Sequence, residues 1–310
     1  MLARIFVIAM NSYREAVRAR VLYGLLAFAL ATALYSLVIG TLSLHQEVRV
    51  AADIGAASIS LYAVLVAIVL GATSLHRELE LKTVFPILTR RLRRHEYLVG
   101  KYLGTLAVLS AFVAIDGATV LAILASQSKQ SPGLLAGVVI GFALALAVLL
   151  VRAKHTRVFV LLPWSYALFA AMVLVSGTAG GDRQVVVASA ALTLGEVAIV
   201  TAVATFFSSF SSPFLTAIFT LGVFLVGSSA DTLGNLPARL FGDGVHELGR
   251  ALAFVFPNLQ VYVPPRPILM GEISDTPPWR FVGTATMSAI FYATILLTLS
   301  SIVFRKRDFQ

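Results

Sequence analysis

HRELELKTVFPILTRRLRRHEYLVGK, residues His76 to Lys101, is the one long charged segment in a chain that is otherwise mostly apolar. It lies between two apolar runs, each long enough to cross a bilayer, so it must lie at a membrane surface. Seven cations fall within it (Arg77, Lys82, Arg90, Arg91, Arg93, Arg94 and Lys101), and the positive-inside rule assigns that surface to the cytoplasm. Leu79, Thr83 and Ile87 recur at four-residue spacing, as do Leu81 and Phe85, with Leu88 and Leu92 beyond, and this predicts a short helix. Pro86 kinks or breaks it.

Composition points the same way. The 310 residues are 58% hydrophobic and 13% charged, against about 25% charged in ordinary soluble domains. A soluble globule cannot hide that much apolar surface, which leaves an integral membrane protein. The net charge of +9 is spread over short loops, not gathered on one amphipathic face, so topology explains it better than nucleic acid binding. The chain has no cysteine, which excludes disulfides, thiolate metal sites and cysteine nucleophiles. At the start, Leu2, Phe6, Met10, Tyr13 and Val17 share one helical face and Arg4, Asn11, Glu15 and Arg18 the other. That pattern predicts an interfacial helix over residues 1–20, not a cleaved signal.

Eight apolar runs follow: Val21 to Leu44, Ala57 to Leu75, Tyr97 to Ser126, Leu134 to Val151, Val158 to Gly177, Val185 to Phe207, Phe214 to Ser229 and Val282 to Phe304. The reading is an all-α, polytopic helical membrane protein, one transmembrane domain over 1–310. Six spans result if 134–177 is a re-entrant pair. With both termini inside, seventeen cations face the cytoplasm, and Arg49, Lys129, Arg183, Arg239, Arg250, Arg266 and Arg280 lie outside. The polar stretches His45 to Asp53 and TAGGDRQ read as external loops. Residues 230–281 form a long external segment in which Val245, Leu248 and Leu252 share a face, predicting a short helix resting on the outer leaflet as a lid or gate.

No engine is legible in the chain itself. A phosphate-cradling loop needs Gly-x-x-x-x-Gly-Lys followed by Ser or Thr, but Tyr102 follows Lys101 and His95 holds the earlier Gly position. The five histidines are scattered without ligand spacing, so no metal site is expected, and no nucleophile elbow is present. Two acids fall inside spans, Asp116 and Glu196. Each costs about 2.5 to 3.5 kcal/mol if charged and exposed to lipid, so each must face protein or water or be neutral. They are either substrate or proton contacts, or structural partners of hydroxyls on adjacent helices.

The opening stretch resembles the cytosolic coupling segment of permease subunits in ATP-binding-cassette exporters of the second type, in particular the copper-enzyme-maturation branch. The residues that carry the likeness are Glu78, Glu80, Thr83, Ile87 with Leu88, Arg94, Glu96, Tyr97, Gly100 and Lys101. Lys82 stands where the family has Gly, and Arg91 where it has Pro. LGEVAIVTAVATFFSSFSSP (Leu194 to Pro213) resembles a later span of that family and FPNLQVY its external motif, and 134–177 looks like an inserted helix pair. The resemblance implies a permease with no catalytic residue or cofactor of its own. ATP and magnesium would be held by separate ATPase subunits, and the permease would work as a homo- or heterodimer in the cytoplasmic membrane, in contact with lipids and not with nucleic acid. In it Glu78, Glu80, Glu96, Arg93 and Arg94 would make charge-assisted contacts with the ATPase, Leu79 and Ile87 would anchor the helix, and Thr83, Gly100 and Lys101 would complete the motif. The alternative is a secondary transporter or channel using Asp116 and Glu196.

Overall fold

Runs of 18 or more apolar residues in lipid have only one economical backbone, because each amide must find its partner within the segment. The computed structural model describes residues 2–43, 46–80, 93–128, 130–153, 156–237, 239, 242–272 and 277–305, with side chains for all but 74–80, 94 and 305. Among these the chain is helical with no strand. It runs α1 (Leu2–Val17), α2 (Arg20–Leu42), α3 (Glu47–Glu80), α4 (Arg94–Gln127), α5 (Pro132–Arg152) and α6 (Arg157–Val175), then α7 (Gly181–Ser208), α8 (Pro213–Ser228), α9 (Asp243–Val255) and α10 (Pro278–Arg305).

Seven of these helices, α2 to α7 and α10, are long and apolar enough to cross a membrane. The eighth apolar helix, α8, has 16 residues and reaches about 24 Å, short of a hydrocarbon core of about 30 Å. Successive spans alternate in direction. The C-terminal ends of α3, α5 and α7 therefore lie with α1 at one end of the bundle, the elbow end, and the described residues between Ser229 and Pro277 cover the other, the strap end.

The helices divide by burial. In α3, α4 and α7, 61%, 67% and 72% of the residues in the most apolar 18-residue stretch are enclosed, against none in α5. Small side chains allow the inner three to approach: Gly55 of α3 faces Val120 of α4, and Gly71 of α3 faces Ala204 of α7. By contrast α5 packs on α6 at its edge, where the Trp164 indole donates to the Phe142 carbonyl at 3.0 Å. Leu144 on α5 is 61% exposed, so lipid replaces whatever a shorter side chain gives up. Leu144→Ala is expected to leave thermal stability in nanodiscs within about 0.5 kcal/mol of the parent.

Element boundaries differ from the sequence reading in three places. Residues 47–53 are the first two turns of α3, not a loop, because Ala51 and Ala52 turn into the core while Glu47, Arg49 and Asp53 stay outside. Asp182, Arg183 and Gln184 belong to the first turn of α7, which starts after Gly180 at φ 56°. The last helix starts at Pro278, with proline in the first turn where its missing amide costs nothing. Of the short helix expected within 76–101, residues 76–80 are the last turn of α3 and 94–101 the start of α4, and residues 81–92 lie outside the described residues.

Candidate functional site

At the elbow end α1 lies along α4. Gly100 and Gly104 leave room for it: a methyl group on Gly104 would stand 2.6 Å from Cβ of Ser12 and 2.9 Å from the Tyr13 amide. The expected apolar face of α1 is divided as a result. Tyr13 and Val17 are buried, whereas Leu2 and Phe6 are exposed, and Ser12 is turned inward against α4. The Tyr13 hydroxyl donates to the Val158 carbonyl at 3.1 Å and its ring stacks on Phe159, which joins α1 to α6 as well. Burial pushes that phenol up to about 12, so it remains a donor at working pH.

The exit from segment 81–92 is tied to α1 and α10. Glu96 in the first turn of α4 accepts the Arg93 amide at 3.2 Å, closing the turn as a capping carboxylate does, and Arg4 approaches it at 3.9 Å. Tyr97 stacks on Phe304 of α10, and the Lys101 ammonium lies 5.6 Å from the Tyr97 ring centre. Of the ten positions that the sequence assigned to coupling, Arg93 is therefore exposed while Glu96, Gly100 and Lys101 face inward. The side chains of Glu78, Leu79, Glu80 and Arg94, and all of Thr83 and Ile87, lie outside the described residues.

The two acids are both fully enclosed. Glu196 on α7 accepts a hydrogen bond from Ser60 on α3 at 2.7 Å. Asp116 on α4 is 0% exposed, and both its carboxylate oxygens are without a hydrogen-bond partner among the described residues. Because Gly55 meets Val120 across antiparallel helices, Asp116 comes level with about Ile59. The two acids therefore share nearly one depth in the bundle.

A feature that the sequence reading missed lies on the strap-end side of Glu196. Asp182, Ser189, Thr193 and Glu196 follow one another on α7 at intervals of seven, four and three, one helical face. Asp53 and Ser60 do the same on α3. Between these faces is a cavity of about 130 Å3 whose polar lining is Asp53, Ser60, Ser189, Thr193, Tyr262 and Arg266, with Val185, Pro264 and Leu269 among its apolar walls; Asp182 lies beyond its mouth and Glu196 behind Ser60. Its roof is the strap of residues 259–270. The Leu259 amide donates to the Gly227 carbonyl at 3.0 Å. Tyr262 wedges against Gly195 and donates to the Ala285 carbonyl at 3.0 Å, and the Gln184 side chain donates to the Leu269 carbonyl at 3.2 Å. Arg266 closes the mouth with both arms of its guanidinium, one on Asp53 at 2.5 Å and one on Asp182.

The polar spacing on α7 was legible in the sequence. Its partner Arg266 was not, being 213 residues from Asp53 along the chain. Among the described residues no cluster of His, Asp and Glu has the arrangement of a metal site. No protein-family model matches the chain, and no curated protein matches it.

Proposed function

We propose that this chain is the permease subunit of an ATP-driven exporter of the ATP-binding-cassette type, moving substrate across the cytoplasmic membrane as one half of a permease dimer. The nucleotide is hydrolysed on separate subunits that dock at the elbow end, in the cytoplasm. What supports the reading, beside the motif in residues 76–101, is that α3 and α4 both lead into residues 81–92. They are two of the three most enclosed helices, each has 34 residues, and at about 51 Å each is long enough to project past the bilayer. Force applied between them acts on the core of the bundle, not on its lipid-facing rim.

Charge reversal at the end of that segment tests the idea. Arg93→Glu combined with Arg94→Glu is expected to reduce co-purification of the ATPase about tenfold while the chain still inserts and folds. An ATPase that stays bound and is stimulated as before would overturn the assignment. A secondary transporter or channel is the second reading, favoured by the enclosed Asp116 and Glu196. Proton-coupled flux through the purified chain without any ATPase would select it.

A further inference from the structure

We propose that the seam between α3 and α7 is a binding site for a small monovalent cation, seated between Asp53 and the Ser60–Glu196 pair and closed at the strap end by Arg266. The charges favour that sign. Asp53 lines the cavity, Asp182 lies beyond its mouth and Glu196 behind Ser60, and the single guanidinium of Arg266, shared by Asp53 and Asp182, is the one cation against these three carboxylates among the lining residues. Arg183, next in the chain to Asp182, turns away and donates to the Val173 carbonyl at 3.4 Å. Glu196 is 1% exposed, and its hydrogen bond comes from a neutral hydroxyl. A carboxylate at that depth needs a positive partner or a proton.

The space and the ligands agree with a cation. A water needs roughly 10 to 15 Å3 of such volume, so a cavity of about 130 Å3 admits an ion together with several waters. The hydroxyls of Ser60, Ser189 and Thr193 supply the oxygen donors that hard cations take. An ammonium group would use the same oxygens as hydrogen-bond acceptors. The cavity ends at Ser60, whose hydroxyl donates to Glu196 at 2.7 Å, so an ion seated there lies one hydrogen bond from the acid once Arg266 lets go. Arg266 competes with the entering ion for Asp53, which makes the strap a latch whose release and loading are linked.

The absence of cysteine makes this directly measurable in the full chain held in nanodiscs. A single Thr193→Cys, read together with Arg266→Gln to open the latch, is modified by a cationic or an anionic methanethiosulfonate reagent, each rate normalised to a free thiol. The cationic reagent is expected to react about tenfold faster. Sodium or methylammonium chloride is expected to slow it relative to N-methylglucamine chloride at the same ionic strength. Protection by sodium alone identifies an alkali ion, and protection by methylammonium alone a protonated amine. Glu196→Gln should remove the protection and reduce the reagent preference, leaving the part due to Asp53 and Asp182. Equal rates for the two reagents, no protection by either cation, or a preference unchanged in Glu196→Gln would each overturn the proposal. Asp53→Asn opens the same latch should Arg266→Gln not fold. The inference goes beyond the exporter reading, and because no ATPase enters the measurement, its failure would leave that reading standing.

Discussion

Gly104→Val is expected to lift α1 from α4 and to cost the protein about 1 to 3 kcal/mol, the range for forcing extra carbon into a close-packed contact. The obstruction is backbone as well as side chain. The new Cβ would press on the Ala9 carbonyl and stand 2.9 Å from the Tyr13 amide, neither of which can rotate away as a flexible side-chain tip can. Removing that contact loosens what depends on it: the Tyr13 bond to the Val158 carbonyl and the approach of Arg4 to Glu96 at 3.9 Å. The measurement is a lower melting midpoint together with faster proteolysis of the first eighteen residues. Leu103→Ala, on the exposed side of α4, should show neither. Under the exporter reading a second effect follows, because residues 81–92 are unaltered and the ATPase still docks. Its stimulation by the permease should nevertheless fall, since the helix that receives the push is no longer braced. Full stimulation on a detached α1 would show that the brace has no part in coupling.

What the sequence disclosed and what it withheld divide along one physical line. The apolar runs are local properties, and so seven of the eight expected spans, the amphipathic α1 and the amphipathic α9 were legible from periodicity and length; the eighth run, Phe214 to Ser229, forms a helix of 16 residues that is too short to be counted with them. Boundaries failed where a polar residue was taken for a loop residue. Asp53 and Asp182 are helical because their own helix turns small or apolar neighbours inward and leaves the carboxylate at the mouth of a seam. Burial was misjudged for a different reason. Glu96 and Lys101 resemble surface charges within a basic segment, yet the first is held by Arg4 and the Arg93 amide and the second packs on Tyr97. Neither Arg4 nor Phe304 can be chosen as a partner from spacing alone. The cavity under Arg266 is the extreme case, since its walls come from α3, α7 and a strap whose Arg266 is 213 residues from Asp53.

Asp116→Asn is expected to stabilise the protein, by an amount on the order of 1 to 3 kcal/mol, whereas most substitutions at a fully enclosed position do the reverse. The side chain keeps its volume, so no cavity or overlap is introduced. What is removed is the capacity for a negative charge on a side chain that is fully enclosed and whose two oxygens have no described partner. Glu196→Gln should behave differently, because Ser60 already donates to that carboxylate and an amide oxygen accepts the same bond. Its melting midpoint is expected to move little. The contrast separates two explanations for keeping Asp116. A purely structural acid would be replaced at no loss, so the stabilised Asp116→Asn chain would transport as well as the parent. If transport falls while the melting midpoint rises, the acid is retained in spite of its cost in stability, the pattern expected of a group that acts during turnover. A melting midpoint that drops in Asp116→Asn would mean that the carboxylate has a stabilising partner in the membrane, and the account of it as an unpaired group would be wrong.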